Sequence, residues 1–173
     1  MSHVLTADGG TESLRVRIYD LDGRCVASHA EPYETKFMAG ARAEQNAEDW
    51  WSSLVTATQI CLKEANISGD AIDAMAYATT CCTVVALDKN GAPLRPALVW
   101  MDVRADKEAE AVLETGDQRL ILNGNGQGPV SAEWMIPKAL WLNRNEPKIF
   151  DDAVTICEYQ DYLTMRLTGE RCA

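Results

Sequence analysis

The sequence predicts an α/β fold in which helices flank a mixed β-sheet. Three observations support this class: three short strand patterns open the chain, one long amphipathic helix follows them, and apolar strands then alternate with further helices. The main elements run in the order β-β-β-α-β, followed by two more strands, two helices with a short helix between them, a strand and a final helix. Strands and helices in this arrangement pack as a sheet covered by helices.

The opening strands are separated by two polar turns. A short apolar run covers residues 4–7, and residues 14–20 alternate apolar and polar side chains as a half-buried strand does. An Asp-Gly step then gives a strong hairpin signal, and a third strand begins at Cys25. We therefore expect a three-stranded meander, followed by an irregular crossover over residues 31–42, which show no period.

The clearest single element is a helix over residues 46–65. Asn46 can cap its start, and Asp49, three residues later, completes a pattern similar to a capping box. Asn66 and Gly69 are expected to end it. Apolar side chains recur at helical spacing along this segment, at Trp50, Trp51, Leu54, Val55, Cys61, Leu62 and Ala65.

The rest of the chain alternates between predicted strands and helices. Residues 71–79 are small and apolar, so we expect a strand that is buried on both faces. Residues 131–142 are expected to form a helix that Ser131 caps, with Pro137 delaying its regular part. The other predictions are strands at 83–87, 97–100 and 153–157, helices at 106–115, 117–123 and 159–167, and a loop at 124–129.

Composition disfavours several classes of partner. The chain has 173 residues, of which 47% are hydrophobic and 24% are charged, enough for one sizeable core. Its net charge of −10 argues against nucleic acid and anionic membranes, because binding to either depends on basic residues. No segment has the pattern of a membrane span or a signal peptide, so we expect a cytoplasmic protein.

The cysteines do not form a metal-binding pattern. None belongs to a C-x-x-C pair and neither histidine lies at ligand spacing, so a zinc site is not expected. Without a secretory context, we expect reduced thiols. Cys81 and Cys82 are adjacent, and on a strand they would point to opposite faces and be strained as a disulfide. The six cysteines are Cys25, Cys61, Cys81, Cys82, Cys157 and Cys172.

The stretch between the first two strands, residues 8–15, has the composition of a phosphate site. It reads Asp-Gly-Gly-Thr-Glu-Ser-Leu-Arg, which places hydroxyls, carboxylates and an arginine in a tight turn. Two glycines permit positive φ and close backbone approach, and N–H groups that point inward bind anionic oxygens. The alternative is an ordinary surface hairpin, since turns use the same residue types.

Short motifs follow one another in a fixed order along the chain. They are Asp8-x-Gly10-Thr11-x-Ser13-x-Arg15, then Tyr19-Asp20-Leu21-Asp22-Gly23, Ala43-Glu44-Gln45-Asn46-Ala47-Glu48-Asp49-Trp50-Trp51, Pro96-Ala97-Leu98-Val99-Trp100-Met101-Asp102-Val103-Arg104, Pro137-Lys138-Ala139-Leu140-Trp141-Leu142, Asp161-Tyr162-Leu163, and Arg166-Leu167-Thr168-Gly169-Glu170. In this order and spacing, the chain resembles the FGGY carbohydrate kinases from its first residues to its last.

The resemblance implies the actin-like, ribonuclease H-like fold, with ATP and Mg²⁺ held between two such domains and a small sugar or polyol as acceptor. It also implies that residues 1–173 are a sugar-binding N-terminal domain that is incomplete at its C-terminus. The nucleotide domain and the aspartate that serves as general base are expected beyond Ala173. We therefore expect no kinase activity from these residues alone, and self-association into a homo-oligomer through apolar surface left uncovered.

For the turn, the resemblance implies binding of phosphate and magnesium. Asp8 is expected to approach Mg²⁺ through water, because Mg²⁺ retains much of its hydration. Arg15 would supply positive charge; the alternative is a solvated strand residue, because Arg17 lies on the same face. Glu12 departs from many family members, which have a second hydroxyl there. The implied phosphate- and magnesium-binding residues are Asp8, Gly10, Thr11, Ser13 and Arg15.

For the sugar, the resemblance implies that residues 80–83 and residues 100–104 line the binding pocket. The alternatives for the second stretch are that Trp100 belongs to the core and that Asp102 caps the next helix. Residues 80–83 lack the Arg-Glu pair with which glycerol kinases grip glycerol, which argues against glycerol. Together with residues 100–104, this stretch resembles the branch of the family that acts on ribulose and related ketopentoses or pentitols. Lys138 belongs to a family signature that the chain meets only in part, and a surface charge and a functional group are both open for it. The implied sugar-binding residues are Thr80, Cys81, Cys82, Trp100, Asp102 and Arg104.

Two other functions stay open on sequence alone. A naturally short chain of this fold would bind a sugar or a partner protein without phosphorylating anything. A nucleotide hydrolase of the actin-like fold would act without a sugar acceptor. ADP release measured with and without sugars separates both from a kinase.

Overall fold

The computed structural model describes residues 2–122 and 130–171, and within them it has nine strands and five α-helices. The strands are β1 (His3–Gly9), β2 (Ser13–Asp20), β3 (Cys25–Pro32), β4 (Lys36–Met38), β5 (Arg42–Gln45), β6 (Ile72–Thr79), β7 (Val84–Leu87), β8 (Ala97–Leu98) and β9 (Thr155–Glu158). The helices are α1 (Ala47–Ala65), α2 (Asp106–Glu114), α3 (Met135–Asn145), α4 (Pro147–Asp152) and α5 (Tyr159–Thr168), with short 3-10 helices at Gly69–Ala71 and Gln118–Leu122. The loop predicted at 124–129 and Cys172 lie outside the described residues.

The chain divides into two units, each with its own sheet. The first unit comprises Met1–Thr35 and Asn46–Thr80, and the second comprises Lys36–Gln45 and Cys81–Ala173. In the first unit the strand order is β3-β2-β1-β6, with β1 and β6 parallel and the other pairs antiparallel. This confirms the three-stranded meander and the mixed sheet.

The core of the first unit lies between its sheet and α1, which packs on β2 and β3. Leu14, Val16 and Ile18 of β2 are buried, and the residues between them are more exposed, as the alternation of a half-buried strand predicts. Cys61 of α1 donates its thiol hydrogen to Val16 O at 3.5 Å. The other buried α1 residues are Ala47, Trp50, Ser53, Leu54 and Ala57.

Both ends of α1 follow the predicted caps. The Asn46 side chain accepts a hydrogen bond from the Glu48 N–H at 3.3 Å, and its amide donates to Asp49 Oδ1 at 2.8 Å. At the other end, Asn66 adopts a left-handed conformation with φ of 53°, and its N–H donates to the last turn of the helix. These local side-chain signals fix the bounds of the helix.

The prediction that β6 is buried on both faces is wrong. All eight of its residues are exposed or half-buried. Among the strands of residues 2–122 and 130–171, β6 is the last of its sheet and pairs with β1 alone. A run of small apolar residues predicts a strand, but the exposure of that strand depends on the neighbours that the fold gives it.

The second unit has an antiparallel sheet in the order β4-β5-β8-β7-β9. The irregular crossover predicted for residues 31–42 is therefore wrong in part, because the last two residues of β3, all of β4 and the first residue of β5 fall within it. β5 is held by β8, where Glu44 pairs with Leu98. This pairing joins distant parts of the chain, so no local pattern announces it.

The helices of the second unit match the prediction with two exceptions. Ser131 does not cap α3; its Oγ accepts from the Glu133 N–H in the preceding turn at 3.2 Å, and the helix begins at Met135. The short helix α4, with Pro147 in its first turn, was not predicted. α5 ends at Gly169 in a left-handed conformation, as predicted.

One face of the second unit is an open apolar groove of about 620 Å³ between α3, α4 and β9. Three of the side chains that line the groove, Met135, Phe150 and Ile156, also pack against the buried core of the unit. That core consists of Val84, Ala86, Leu98, Ala105, Trp141 and Leu142. Self-association through uncovered apolar surface stays a prediction. Among the described residues, no helix is long and apolar enough to cross a membrane. The groove is lined by Met135, Ile136, Ala139, Leu140, Asn143, Phe150 and Ile156.

Candidate functional site

The residues implied for phosphate and sugar binding fall into both units, and each group is described within its own unit. The first unit carries the β1–β2 turn, with Asp8, Gly10, Thr11, Ser13 and Arg15, and also Thr80. The second unit carries Cys81, Cys82, Trp100, Asp102 and Arg104.

The β1–β2 turn is closed and braced by its own backbone and by Tyr33. The Gly10 N–H donates to Ser13 O at 3.0 Å. The single hydrogen of the Tyr33 hydroxyl is shared between Gly10 O and Ser13 O, and the hydroxyl oxygen lies 3.2 Å from Ser13 O. The carbonyl oxygens of Gly10 and Ser13 therefore point toward donors within the protein.

The same segment after β3 satisfies the two carbonyls at the tip of the turn. Thr35 Oγ1 donates to Thr11 O at 3.1 Å, and the Tyr33 N–H donates to Glu12 O at 3.1 Å. The carbonyl oxygens of residues 10–13 therefore all accept hydrogen bonds from within the first unit. A tip whose carbonyls are engaged in this way can approach an anion without presenting them to it.

Asp8 and Arg15 lie opposite each other on the antiparallel pair β1–β2, and both are exposed. β6 runs parallel to β1 and ends beside it, where Gly9 pairs with Thr79. The Thr80 N–H then donates to Gly9 O at 2.9 Å. A carboxylate, a guanidinium and a threonine are thus collected at the carboxyl ends of two parallel strands, a common position for ligand sites in α/β folds.

The turn does not use the conformational freedom of its glycines. Neither Gly9 nor Gly10 has a positive φ. Gly9 pairs with Leu14 at the end of the antiparallel pair β1–β2. A Cβ built on Gly10 would lie 3.4 Å from Ser13 O, an ordinary contact. The positive φ that glycines permit is not needed here, because the Gly10 N–H bond to Ser13 O and the bonds from the Tyr33 hydroxyl close the turn with ordinary dihedrals.

In the second unit, Cys81 and Cys82 lie in a turn before β7 and not on a strand. Cys82 has φ of 59°, a left-handed conformation that is unusual for a residue with a side chain. Its N–H donates to Glu158 Oε2 at 2.9 Å, and its carbonyl accepts from Lys138 Nζ at 2.7 Å. Two charged side chains thus hold the backbone of this residue on both sides.

Thr83 links this turn to the segment after β8. It is fully buried, and its Oγ1 accepts from the Trp100 N–H at 3.1 Å. Its carbonyl accepts from the Tyr159 N–H at 3.0 Å. Trp100 itself is 36% exposed, so the alternative that it belongs to the core is wrong.

Asp102 is completely buried and forms a bidentate pair with Arg104. Its Oδ2 also accepts from the Ala43 N–H of β5 at 2.7 Å. Burial raises the pKa of Asp102, but hydrogen bonds from Arg104 and Ala43 outweigh it, so the pKa lies below its usual value. The residue before α2 is Ala105, and Asp102 is therefore not its N-cap.

Arg104 is the centre of a larger ionic cluster. Its Nη2 lies 2.9 Å from Glu44 Oε1, and Glu44 in turn contacts Arg95 at 2.5 Å. Arg95 Nε lies 2.9 Å from Glu146 Oε2. The Arg104 guanidinium also lies over the ring of Trp141, 5.0 Å from its centroid. These side-chain contacts link Arg104 to Glu44 of β5 and to Trp141 of α3.

Comparison with known proteins decides the family. Residues 3–173 match the model described as the FGGY family of carbohydrate kinases, N-terminal domain. The chain belongs to the FGGY family of carbohydrate kinases. It is 29% identical over 171 residues to a xylulose kinase of Lactococcus lactis, covering 98% of this chain and 33% of the relative. It is 32% identical over 169 residues to a xylulose kinase of Streptomyces coelicolor, covering 96% of this chain and 34% of the relative.

The fold agrees with solved structures of this family. The crystal structure of a xylulose kinase from Rhodospirillum rubrum has a TM-score of 0.88 and 27% identity, covering 99% of this chain and 35% of the other. The actin-like, ribonuclease H-like fold that the sequence resemblance implied is confirmed. The chain spans about a third of the length of the curated relatives it matches.

Sequence reasoning missed how Lys138 is used. The surface-charge alternative is wrong: the side chain is fully buried, and burial lowers its pKa to about 8. The available signal was its place in the FGGY signature, but its hydrogen-bond partners, 56 and 39 residues away in sequence, required the structure. The roles of Glu44 and Arg95 were missed for the same reason.

Cys81 and Cys82 differ as thiols. Cys81 is exposed, whereas Cys82 is half-buried. Burial and nearby negative groups raise the pKa of Cys82 to about 11, so it stays protonated at neutral pH. Five cysteines of the described chain, including this pair, are free thiols.

Proposed function

We propose that this protein belongs to an ATP-dependent kinase that phosphorylates a small sugar or polyol. What carries the proposal is the match of residues 3–173 to the FGGY N-terminal domain, together with relatives named xylulose kinase that align over nearly the whole chain. Xylulose is a ketopentose, and we favour a ketopentose or a pentitol as the substrate class.

Within such an enzyme, we assign residues 1–173 to the sugar-binding domain. About two thirds of each relative's length lies outside the matched region. We propose that the nucleotide domain and the general base belong to that remaining part. The proposed division of labour is that this chain positions the sugar hydroxyl and presents the β1–β2 turn to the nucleotide phosphates.

The proposed phosphate and magnesium residues suit that task. ATP would supply the phosphoryl group, and Mg²⁺ would neutralise charge on its phosphates. Asp8 is an exposed carboxylate on β1, which is the kind of ligand that contacts Mg²⁺ through its water shell. Arg15 is exposed on the adjacent strand, where a guanidinium can pair with phosphate oxygens. Gly10, Thr11 and Ser13 form the braced tip between them.

The proposed sugar residues fall into two kinds. Cys81 and Trp100 are exposed and would contact the sugar directly, Trp100 through its ring. Asp102 and Arg104 are buried and paired, and we propose that they act mainly by holding the segment that carries Trp100. Thr80 and Cys82 are the sequence neighbours of Cys81, and we propose that they belong to the same sugar-binding set.

A coupled assay of ADP release tests the proposal on the whole gene product. Xylulose, ribulose and the matching pentitols are compared with glycerol and with a reaction that lacks sugar. A kinase releases ADP only with an acceptor, and a ketopentose or pentitol should give the highest rate. Equal release without any sugar would point to a nucleotide hydrolase, and sugar binding without release would point to a non-catalytic module.

A further inference from the structure

The buried amine of Lys138 joins two stretches of the second unit. Its Nζ donates to Cys82 O and to Val99 O, both at 2.7 Å, and to Trp100 O at 3.4 Å. Cys82 precedes β7, whereas Val99 and Trp100 follow β8. One side chain from α3 therefore reaches the backbone of both stretches.

We propose that Lys138 is a positioning residue that fixes the turn at Cys82 relative to the Val99–Trp100 segment. Three carbonyl oxygens converge on one ammonium group that has no exposed surface. Hydrogen bonds from a charged donor are stronger than neutral ones, and a buried carbonyl that loses its donor bears the cost of desolvation. Removal of the amine should therefore release both stretches, not merely weaken the helix.

The conformation of Cys82 gives an independent reason for this role. Its left-handed φ of 59° is costly for a residue with a Cβ and persists only where its surroundings hold it. Glu158 accepts its N–H, and Lys138 donates to its carbonyl. Glu158 thus holds the peptide group before Cys82, through its N–H, and Lys138 holds the peptide group after it, through its carbonyl.

The same helix contacts the far end of the second stretch. Trp141 lies three residues after Lys138 on α3, which places both side chains on one face of the helix. Its ring lies under the Arg104 guanidinium. α3 therefore supports residues 99–104 at both ends, with Lys138 at Val99 and Trp141 at Arg104.

Amide hydrogen exchange of the chain tests the anchor without sugar or nucleotide. The reporting amides are Cys82, Trp100 and Asp102, whose N–H groups donate to Glu158, Thr83 and Val99. In Lys138→Met, protection at these amides should fall by about tenfold or more, because each charge-assisted bond contributes at that level. Val85 and Leu163 report the global stability of the unit and should fall less. Lys148→Met, an exposed lysine of α4, is the matched control and should change none of them.

An equal loss at Val85 and Leu163, or no loss at the three reporting amides, would overturn the proposal. If Lys138→Met does not fold, Lys138→Gln replaces it in the experiment. The glutamine side-chain amide still donates hydrogen bonds, so protection at the three reporting amides should fall less than in the methionine variant. Adding Cys82→Gly to Lys138→Gln removes the left-handed penalty and should restore protection at position 82 but not at Trp100. Restoration at both positions would contradict a direct link from Lys138 to Trp100.

The consequence for substrate rests on the proposed function. If Cys81 and Trp100 contact the sugar, Lys138→Gln should raise the sugar KM more than it lowers kcat, because it misplaces binding groups. A fall in kcat alone would contradict a positioning role in sugar binding. If the wild-type protein releases no ADP with any sugar, the proposed function fails, while the exchange experiment still decides the role of Lys138.

Discussion

Asp102 and Arg104 form a bidentate ion pair in which Arg104 Nη2 lies 2.7 Å from Asp102 Oδ2 and Nε lies 2.9 Å from Oδ1. The two residues are separated by one position, so the pair closes a tight loop of backbone. Because Asp102 also accepts the Ala43 N–H, the carboxylate ties this loop to β5. Asp102, which the family resemblance implies for sugar contact, thus also connects two segments of the second unit.

Asp102→Asn should destabilise the protein by about 2–4 kcal/mol, because it leaves Arg104 buried with Glu44 as its remaining anionic partner. The pKa of Asp102 is below its usual value in the folded state, so its contribution is complete above the unfolded pKa of about 4. That contribution is lost as pH falls through the folded pKa. Urea unfolding between pH 3 and pH 7 measures it.

The matched control is Asp151→Asn, an exposed aspartate on α4. Surface changes of this kind stay within about 0.5 kcal/mol. The difference in stability between wild type and Asp102→Asn should shrink with acidification, while the control follows wild type. A difference that is constant over the whole pH range would contradict the linkage.

The parts of the fold that were predictable from sequence are those with local signals. The Asp22-Gly23 hairpin and the Asn46 cap of α1 depend on residues a few positions apart, and both are present as predicted. The pairing of β5 with β8 joins Glu44 to Leu98, and its hydrogen bonds exist only after the chain has folded. The exposure of β6 was misjudged because composition does not tell which strand lies at the edge of a sheet.

The candidate site divides in the same way. The residue types in the β1–β2 turn pointed to anion binding from sequence, but the donors that satisfy its carbonyls, Tyr33 and Thr35, lie after β3. The burial of Lys138 could not be read from α3, whose helical period shows only which residues share a face. A lysine at such a position is ordinarily solvated, and here three backbone oxygens from elsewhere in the unit replace water.

Lys138 predicts an unusual dependence of stability on pH. Its pKa is lowered to about 8 in the folded state, against about 10.4 in the unfolded chain. Between these values the unfolded state keeps a proton that the folded state has released, so stability rises with pH. The free energy of unfolding of wild type relative to Lys138→Met should increase by up to about 3 kcal/mol from pH 8 to pH 10.5.

Urea unfolding across this range gives the measurement, with Lys148→Met as a control that should run parallel to wild type. No relative increase above pH 8 would mean that Lys138 titrates normally. An increase that starts well below pH 8 would indicate a different titrating group.

Asp8→Asn should lower the proposed kinase activity by about 10- to 100-fold, the range seen when a carboxylate in the outer coordination sphere of a metal is removed. Asp8 is exposed, so the fold should be unchanged within about 0.5 kcal/mol. Steady-state rates at increasing Mg²⁺ concentration test this, and higher Mg²⁺ should recover part of the loss. Asp22→Asn, an exposed aspartate in the other turn of the meander, should retain full activity; equal losses would remove the assignment of Asp8.

Thiol labelling tests where the sugar binds. Cys25 and Cys81 are exposed, whereas Cys61 and Cys157 are buried, and burial raises the pKa of Cys157 to about 12. Iodoacetamide near neutral pH, read by mass spectrometry, should therefore modify Cys25 and Cys81 first, because the thiolate is the reactive form and needs access. A ketopentose that is a substrate should slow labelling of Cys81 and leave Cys25 unchanged, since only Cys81 is proposed to contact it. Equal protection of both thiols would show that the sugar acts on the protein as a whole, and protection of neither would place the sugar away from Cys81.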